Sequence, residues 1–275
     1  MNRSRWELWS RQGGHGAVRV QELFDLTGQV ALVTGGSRGL GYQMATALAE
    51  AGAKVAITAR KEHELLEAAS RLRKEGFECL PVVCDISKFE NIGPTVERVV
   101  EHFGKIDILV NNAGMTWKAS PEDITLEEWQ RVVDTNLTGT FFMAQAVGRV
   151  MIRQGHGGRI INVASVAGLR GNDPAIMDTI VYNTTKAAVI NMTRDLAVKW
   201  GRYGIHVNCI APGFFATKMT RVVLERLGDR IRQHNPLGKI GGEDDLKGVT
   251  VLLASRASNF ITGQVFVVDG GSSAK

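Results

Sequence analysis

Gln29-Val30-Ala31-Leu32-Val33-Thr34-Gly35-Gly36-Ser37-Arg38-Gly39-Leu40-Gly41 is the stretch whose reading decides the fold. Its first part is a short apolar run rich in Val and Leu, the pattern of a buried strand. The glycines that follow let the backbone turn sharply and approach a ligand closely, and a helical pattern opens directly behind them. Such a helix start offers free N–H groups and a positive dipole end to phosphate. The spacing is Gly35-x-x-x-Gly39-x-Gly41 rather than the common Gly-x-Gly-x-x-Gly. A plain tight turn would share this composition; its place between a first strand and a first helix favours binding. Ser37, Arg38 and Leu40 lie inside the same loop.

Outward from this stretch, apolar runs alternate with amphipathic ones. Strands are predicted over 29–34, 54–59, 80–84, 106–111, 159–164, 206–211 and 264–268. Helices are predicted over 40–51, 61–75, 88–103, 125–154, 180–203 and 243–255. Runs of Val, Ile and Leu without alternation suit strands covered on both faces, hence a parallel sheet. Right-handed crossovers then give an α/β, doubly wound sheet of about seven strands with helices on both faces. Ligands of such sheets lie outside the carboxyl ends of the strands. No linker or repeat divides residues 23–275, which read as a single domain. Residues 1–22, with Arg3, Arg5, Arg11 and Arg19 and a Gly-Gly-His-Gly stretch, read as a basic, mobile arm.

The composition narrows the function. Of 275 residues, 44% are hydrophobic and 22% charged, a balance suited to a chain that builds its own core. No apolar window is long enough to span a membrane. The net charge of +5 is scattered rather than blocked, so no nucleic-acid groove is indicated. Three cysteines without a CxxC pair read as reduced, buried thiols of a cytoplasmic protein, and no metal set is read.

Two further features carry chemistry. The second strand ends Ala59-Arg60, where an NAD site usually carries an acid for the ribose 2′-OH. Arg38 and Arg60 together suit a 2′-phosphate, which favours NADP(H) over NAD(H). Tyr182 and Lys186 stand four apart on a predicted helix and share a face, so an ammonium sits near a phenol. A lysine cation and an oxidised nicotinamide both favour phenolate, lowering the tyrosine toward working pH. Ser165 ends the fifth strand, where its hydroxyl can meet a substrate oxygen.

Taken with Asp85, Asn111-Asn112-Ala113-Gly114, Asn136, Pro212-Gly213 and Thr217, these residues make the chain resemble the short-chain dehydrogenase/reductase family over nearly all of residues 26–271. The resemblance implies a Rossmann-type fold and a catalytic set of Asn136, Ser165, Tyr182 and Lys186, with Tyr182 moving the proton. It implies cofactor contacts from Gly35, Ser37, Arg38, Gly39, Leu40, Gly41 and Arg60. Asp85 with Ile86 would meet adenine, and Asn112 with Ala113 and Gly114 the adenosine ribose. Tyr182 and Lys186 would hold the nicotinamide ribose, and Pro212, Gly213, Phe215 and Thr217 the carboxamide. Within the family the chain is most similar to members called gluconate 5-dehydrogenase, through Leu23-Phe24-Asp25-Leu26, Thr58-Ala59-Arg60-Lys61, Met177-Asp178-Thr179-Ile180 and Pro212-Gly213-Phe214-Phe215. Next come the 3-oxoacyl-carrier-protein reductases.

The implied reaction moves a hydride between nicotinamide and a carbonyl or secondary-alcohol carbon of a small molecule. A sugar acid is one substrate class and a 3-oxoacyl thioester the alternative; a nucleotide sensor without turnover is remote, because Tyr182 and Lys186 are both present. A homotetramer or dimer is implied, through 125–154, 180–203 and the last strand. Ser165 and Tyr182 are 17 positions apart, longer than is usual in the family. The extra residues suggest a lip over the substrate carrying Arg170 and Met177, with Phe214 and Met219 opposite and Trp117 as a further wall. Lys218, Arg221 and Arg226 follow the carboxamide segment; they would dock an acidic carrier protein, hold a carboxylate, or simply face solvent.

Overall fold

The computed structural model describes residues 18–275. Seven strands form one sheet: β1 (Val30–Thr34), β2 (Lys54–Ala59), β3 (Cys79–Val83), β4 (Ile108–Asn111), β5 (Gly158–Val163), β6 (Ile205–Pro212) and β7 (Val265–Val268). Their order is β3-β2-β1-β4-β5-β6-β7, and every pairing is parallel. The chain leaves β3 at one edge and restarts at β4 beside β1, so the order reverses there and a crevice opens at the carboxyl ends of β1 and β4.

Eight helices carry the crossovers: α1 (Gly39–Glu50), α2 (Glu62–Lys74), α3 (Ile92–Phe103), α4 (Leu126–Val133), α5 (Gly139–Gln154), α6 (Ile180–Trp200), α7 (Arg221–His234) and α8 (Lys247–Ala254). Successive strand residues point to opposite faces, and β1 shows the consequence. Ala31 and Val33 enter the core against Met44 and Leu48 of α1, Leu65 of α2 and Leu253 of α8. Val30 and Leu32 enter the other, against Val96 of α3 and Met143 and Val147 of α5. All five β1 residues are buried, which is why the run lacks polar alternation.

The structure departs from the sequence reading in four places. The predicted helix 125–154 is broken by a π-type turn over Asp134–Thr138, which widens the coil between α4 and α5. The predicted helix 88–103 enters through a short 3-10 turn, Phe89–Asn91. α7 was not delimited at all; Gly228 is its one buried residue, so packing leaves little trace in its sequence. Of the arm expected over 1–22, residues 1–17 lie outside the described residues. Residues 20–23 form one helical turn, held where Arg256 Nη2 donates to Glu22 O at 2.9 Å. Among the described residues, no helix is long and apolar enough to cross a membrane.

Candidate active site

The glycine loop is held in shape mainly by β4. Thr34 Oγ1 accepts the N–H groups of Asn112 and Ala113, each at 3.0 Å. The Asn112 amide donates to Thr34 O (3.0 Å) and Gly35 O (3.3 Å). Both its hydrogens are thereby spent, so Asn112 shapes the loop, and only its Oδ1 is left for the ribose contact expected of it. Gly35 has φ +65°, and a Cβ on Gly41 would sit 2.3 Å from Gly35 O; no other residue lets loop and helix approach so closely. Arg38, the N-cap of α1, makes no side-chain cap, which leaves the first-turn N–H groups available to an anion. Ser37 is buried and Leu40 packs on the core beneath. Thr217 lies against the loop, close enough that a Cβ on Gly39 would touch its Cγ2 at 3.4 Å. These residues fit a dinucleotide diphosphate on α1.

The cations expected to meet a 2′-phosphate are each engaged by an acid. Arg60 Nη1 lies 4.0 Å from Asp85 Oδ2, while Asp85 Oδ1 accepts from Ser87. Arg38 Nη1 lies 2.5 Å from Glu64 Oε2. Glu64 Oε1 also receives Lys61 at 3.4 Å and Lys218 at 3.7 Å. The end of β2 itself carries no acid, as read; the first turn of α2 delivers one nonetheless. Burial pushes the Glu64 carboxyl up, but Arg38, Lys61 and Lys218 together outweigh it and hold the group below the usual carboxylate range.

The reacting groups gather on β5 and α6. Ser165 stands two residues past β5 in extended backbone, and its Oγ accepts the Ala167 N–H at 3.1 Å. Its own O–H is therefore available to a substrate oxygen. Lys186 is buried and donates from Nζ to Val163 O at 2.7 Å. That ammonium lies 5.6 Å from the centroid of the Tyr182 ring. Burial drives Lys186 down to about 8. The Tyr182 phenol is pushed up by burial and drawn partly back by the Ser165 hydroxyl. Of the two effects, burial is the larger.

Asn136 stands on the π-type turn, buried, with its side chain fully used. Oδ1 accepts the Met115 N–H (2.8 Å); Nδ2 donates to Met115 O (2.8 Å) and Thr185 Oγ1 (3.1 Å). Its side chain ties the segment after β4 to α6. A Cβ on Gly114 would come within 3.3 Å of Asn136 Oδ1 and 3.6 Å of Lys186 Nζ, so Gly114 opens the place where these groups converge.

The expected substrate residues are placed unevenly. Residues 169–179 form a loop, turned at Asp173–Met177 by bonds to Asp173 O and bridged by Ala119 N–H to Asp178 O at 3.2 Å. Arg170 is exposed and Met177 half-buried. Trp117 turns toward α4, with the Arg131 guanidinium 5.6 Å from its ring. Met219 is exposed, Phe214 half-buried. Phe215 is buried with its ring against Gly241 in the core, and Ile86 is likewise a core side chain. Gly213 packs on Asp269 behind Pro212.

Sequence reasoning missed Glu64, Thr185 and Gly168. A Cβ on Gly168 would lie 2.6 Å from Ala187 N and Lys186 C. Its absence lets the turn after Ser165 sit directly on α6. A small residue three places after the serine was the available signal. Thr116 Oγ1 and Asn172 Nδ2 are buried and have no partner among the described residues.

The family described as Enoyl-(Acyl carrier protein) reductase matches residues 35–273. Gluconate 5-dehydrogenase of Gluconobacter oxydans is 40% identical over 252 residues, 91% of this chain and 96% of that protein. The 3-oxoacyl-[acyl-carrier-protein] reductase of Synechocystis is 40% identical over 249 residues, 90% and 97% respectively. A short-chain type dehydrogenase/reductase from Mycobacterium marinum superposes with a TM-score of 0.90 at 39% identity, covering 94% of this chain and 100% of that one. A gluconate 5-dehydrogenase from Burkholderia cenocepacia, solved with NADP and tartrate, gives 0.88 at 37%, covering 94% and 100%.

Proposed function

The chain belongs to the short-chain dehydrogenase/reductase family, an oxidoreductase acting on CH–OH groups, and from that premise we propose that it uses NADP(H) to interconvert a keto-sugar acid and its alcohol. The observation that carries the cofactor reading is the gathering of Arg38, Lys61 and Lys218 at one place beside the glycine loop, with Arg60 at the end of the adjoining strand. Held by the glycine loop and the first turn of α1, the nicotinamide cofactor would supply or take the hydride. In reduction the Tyr182 phenol gives its proton to the carbonyl oxygen. Ser165 donates a hydrogen bond to the same oxygen and fixes it in line. Lys186, held by Val163 O, stabilises the phenolate left on Tyr182. Oxidation runs the same residues backwards.

A small anionic substrate is favoured over a carrier-bound thioester by the state of the basic residues. Lys218 is engaged by Glu64 and Arg221 by Glu225 at 3.7 Å, which weakens them as a docking patch for an acidic protein. Arg170, on the lip, has no acidic partner among the described residues. In the same reading the chain works in the cytoplasm as a homotetramer, supported by exposed Phe142, Val198 and Val267 on α5, α6 and β7. The test is NADPH oxidation with 5-keto-gluconate, related keto-sugars, an acetoacetyl thioester and small diketones. Keto-sugar acids should give the highest kcat/KM, and Arg170→Ala should lower it for anionic substrates alone. A thioester ranked first, with Arg170→Ala silent, would overturn the substrate assignment.

A further inference from the structure

The three cations around Glu64 come from three separate parts of the fold. Arg38 belongs to the glycine loop, Lys61 to the turn between β2 and α2, and Lys218 to the segment after β6. Both carboxylate oxygens are used: Oε2 by Arg38, Oε1 by Lys61 and Lys218. Cations converging from unconnected elements on one anion are the arrangement a phosphate would need, with the carboxylate in its place. Arg38, Gly39, Thr217 and Lys218 also line one edge of an open cavity of about 850 Å³ between α1, α7 and α8, and Lys61 is exposed beside them, so the cations can be reached from solvent.

We propose that Glu64 is a specificity-determining residue at the adenosine end, an internal anion whose carboxylate the 2′-phosphate of NADP(H) must displace from Arg38, Lys61 and Lys218. The proposal rests on the NADP(H) reading above. An ADP-ribose ending in a 2′-OH brings no anion to this point and leaves the Glu64 ion pairs in place. A 2′-phosphate brings about two negative charges beside a third, and the repulsion is only partly screened by solvent. Glu64 therefore narrows the margin between the cofactors that Arg38 alone would set.

Binding of fragments tests this without turnover. Calorimetry with 2′,5′-ADP and with 5′-AMP isolates the 2′-phosphate contribution in the full chain. Glu64→Gln should tighten 2′,5′-ADP by roughly fivefold, from the loss of one like charge nearby, and move 5′-AMP by less than twofold. A weaker 2′,5′-ADP complex in Glu64→Gln would overturn the proposal, because Glu64 would then orient Arg38 rather than compete. Equal changes for both fragments, or none, would overturn it as well. Arg38→Met separates the two readings. If it abolishes the preference for 2′,5′-ADP while Glu64→Gln leaves it unchanged, the NADP(H) reading stands and the role of Glu64 falls. If neither variant matters and wild type shows no preference, both fall.

Discussion

Lys186 and Arg38 are both cations that the proposed function assigns to one ligand, yet Lys186 is 5% exposed and the Arg38 side chain 49%. At the nicotinamide end the groups are dry, few and fixed by direct hydrogen bonds: Lys186 to Val163 O, Ser165 to Ala167 N–H, Asn136 to Met115 and Thr185. At the adenosine end the charges are wet, several and shared. Desolvation makes each interaction at the first end strong and any loss there costly. Solvent and salt make each contact at the second end weak, and only their number counts. Proton transfer needs the first arrangement; a choice between two similar cofactors is met by the second.

The sharpest way to break this contrast is Tyr182→Phe, which keeps the ring and removes the proton. Turnover should fall at least about a hundredfold, the lower range for general acid–base groups, with NADPH affinity unchanged in a fluorescence titration. Near-normal turnover would place the proton elsewhere. Gly168→Ala comes next. Its new methyl meets the α6 backbone at 2.6 Å, so the turn must shift and take Ser165 with it. A loss of about tenfold in kcat and about 1–3 kcal/mol in urea stability is expected from overpacking. A wild-type kcat would show that Ser165 tolerates displacement.

Lys186→Met sharpens the contrast from the side of stability. Burial lowers Lys186 from 10.5 in the open chain to about 8 in the fold. The unfolded chain thus binds more protons between those values. The destabilisation due to this lysine is fully present below pH 8 and is relieved as pH rises toward 10.5. The variant should gain most relative to wild type at pH 7 and progressively less above pH 8, read by urea unfolding at both ends. A gap that does not change with pH would mean that Lys186 is not charged at a cost. The smallest effect belongs to the wet end. Wild type should prefer NADPH by roughly tenfold or more in kcat/KM, from charge-assisted contacts. Arg60→Asp should erode that preference, and salt should shrink it. A salt-independent preference would mean that the contacts are as dry as those around Lys186.

What was legible in the sequence follows the same division. All seven strands fell close to their predicted bounds because each carries a short run dominated by apolar residues, and the central β1 is buried along its whole length. Tyr182, Lys186 and Ser165 were legible because their spacing and strand-end position encode the chemistry directly. α7 was not, since its helical face buries almost nothing. The π-type turn was not, because Asp134–Thr138 has an ordinary helical composition and only the demand that Asn136 reach Met115 and Thr185 reveals it. Glu64 escaped because the acid was sought at the end of β2, whereas the fold supplies it from the next helix.

The pinning of the glycine loop by β4 also sets an order of assembly. The loop closes at residue 41, but the atoms that hold it come from Asn112 and Ala113, just after β4. A chain emerging from the ribosome therefore carries the glycines long before it carries a rigid cradle, because β1 gains this neighbour only after two intervening strands and their crossovers. Until β4 docks, nucleotide has no native-like site to select, and a ligand stabilises only a state it can bind. An amino-terminal fragment ending in α3 should stay unrescued by any concentration of cofactor, and nucleotide enters the life of this protein as a late ligand.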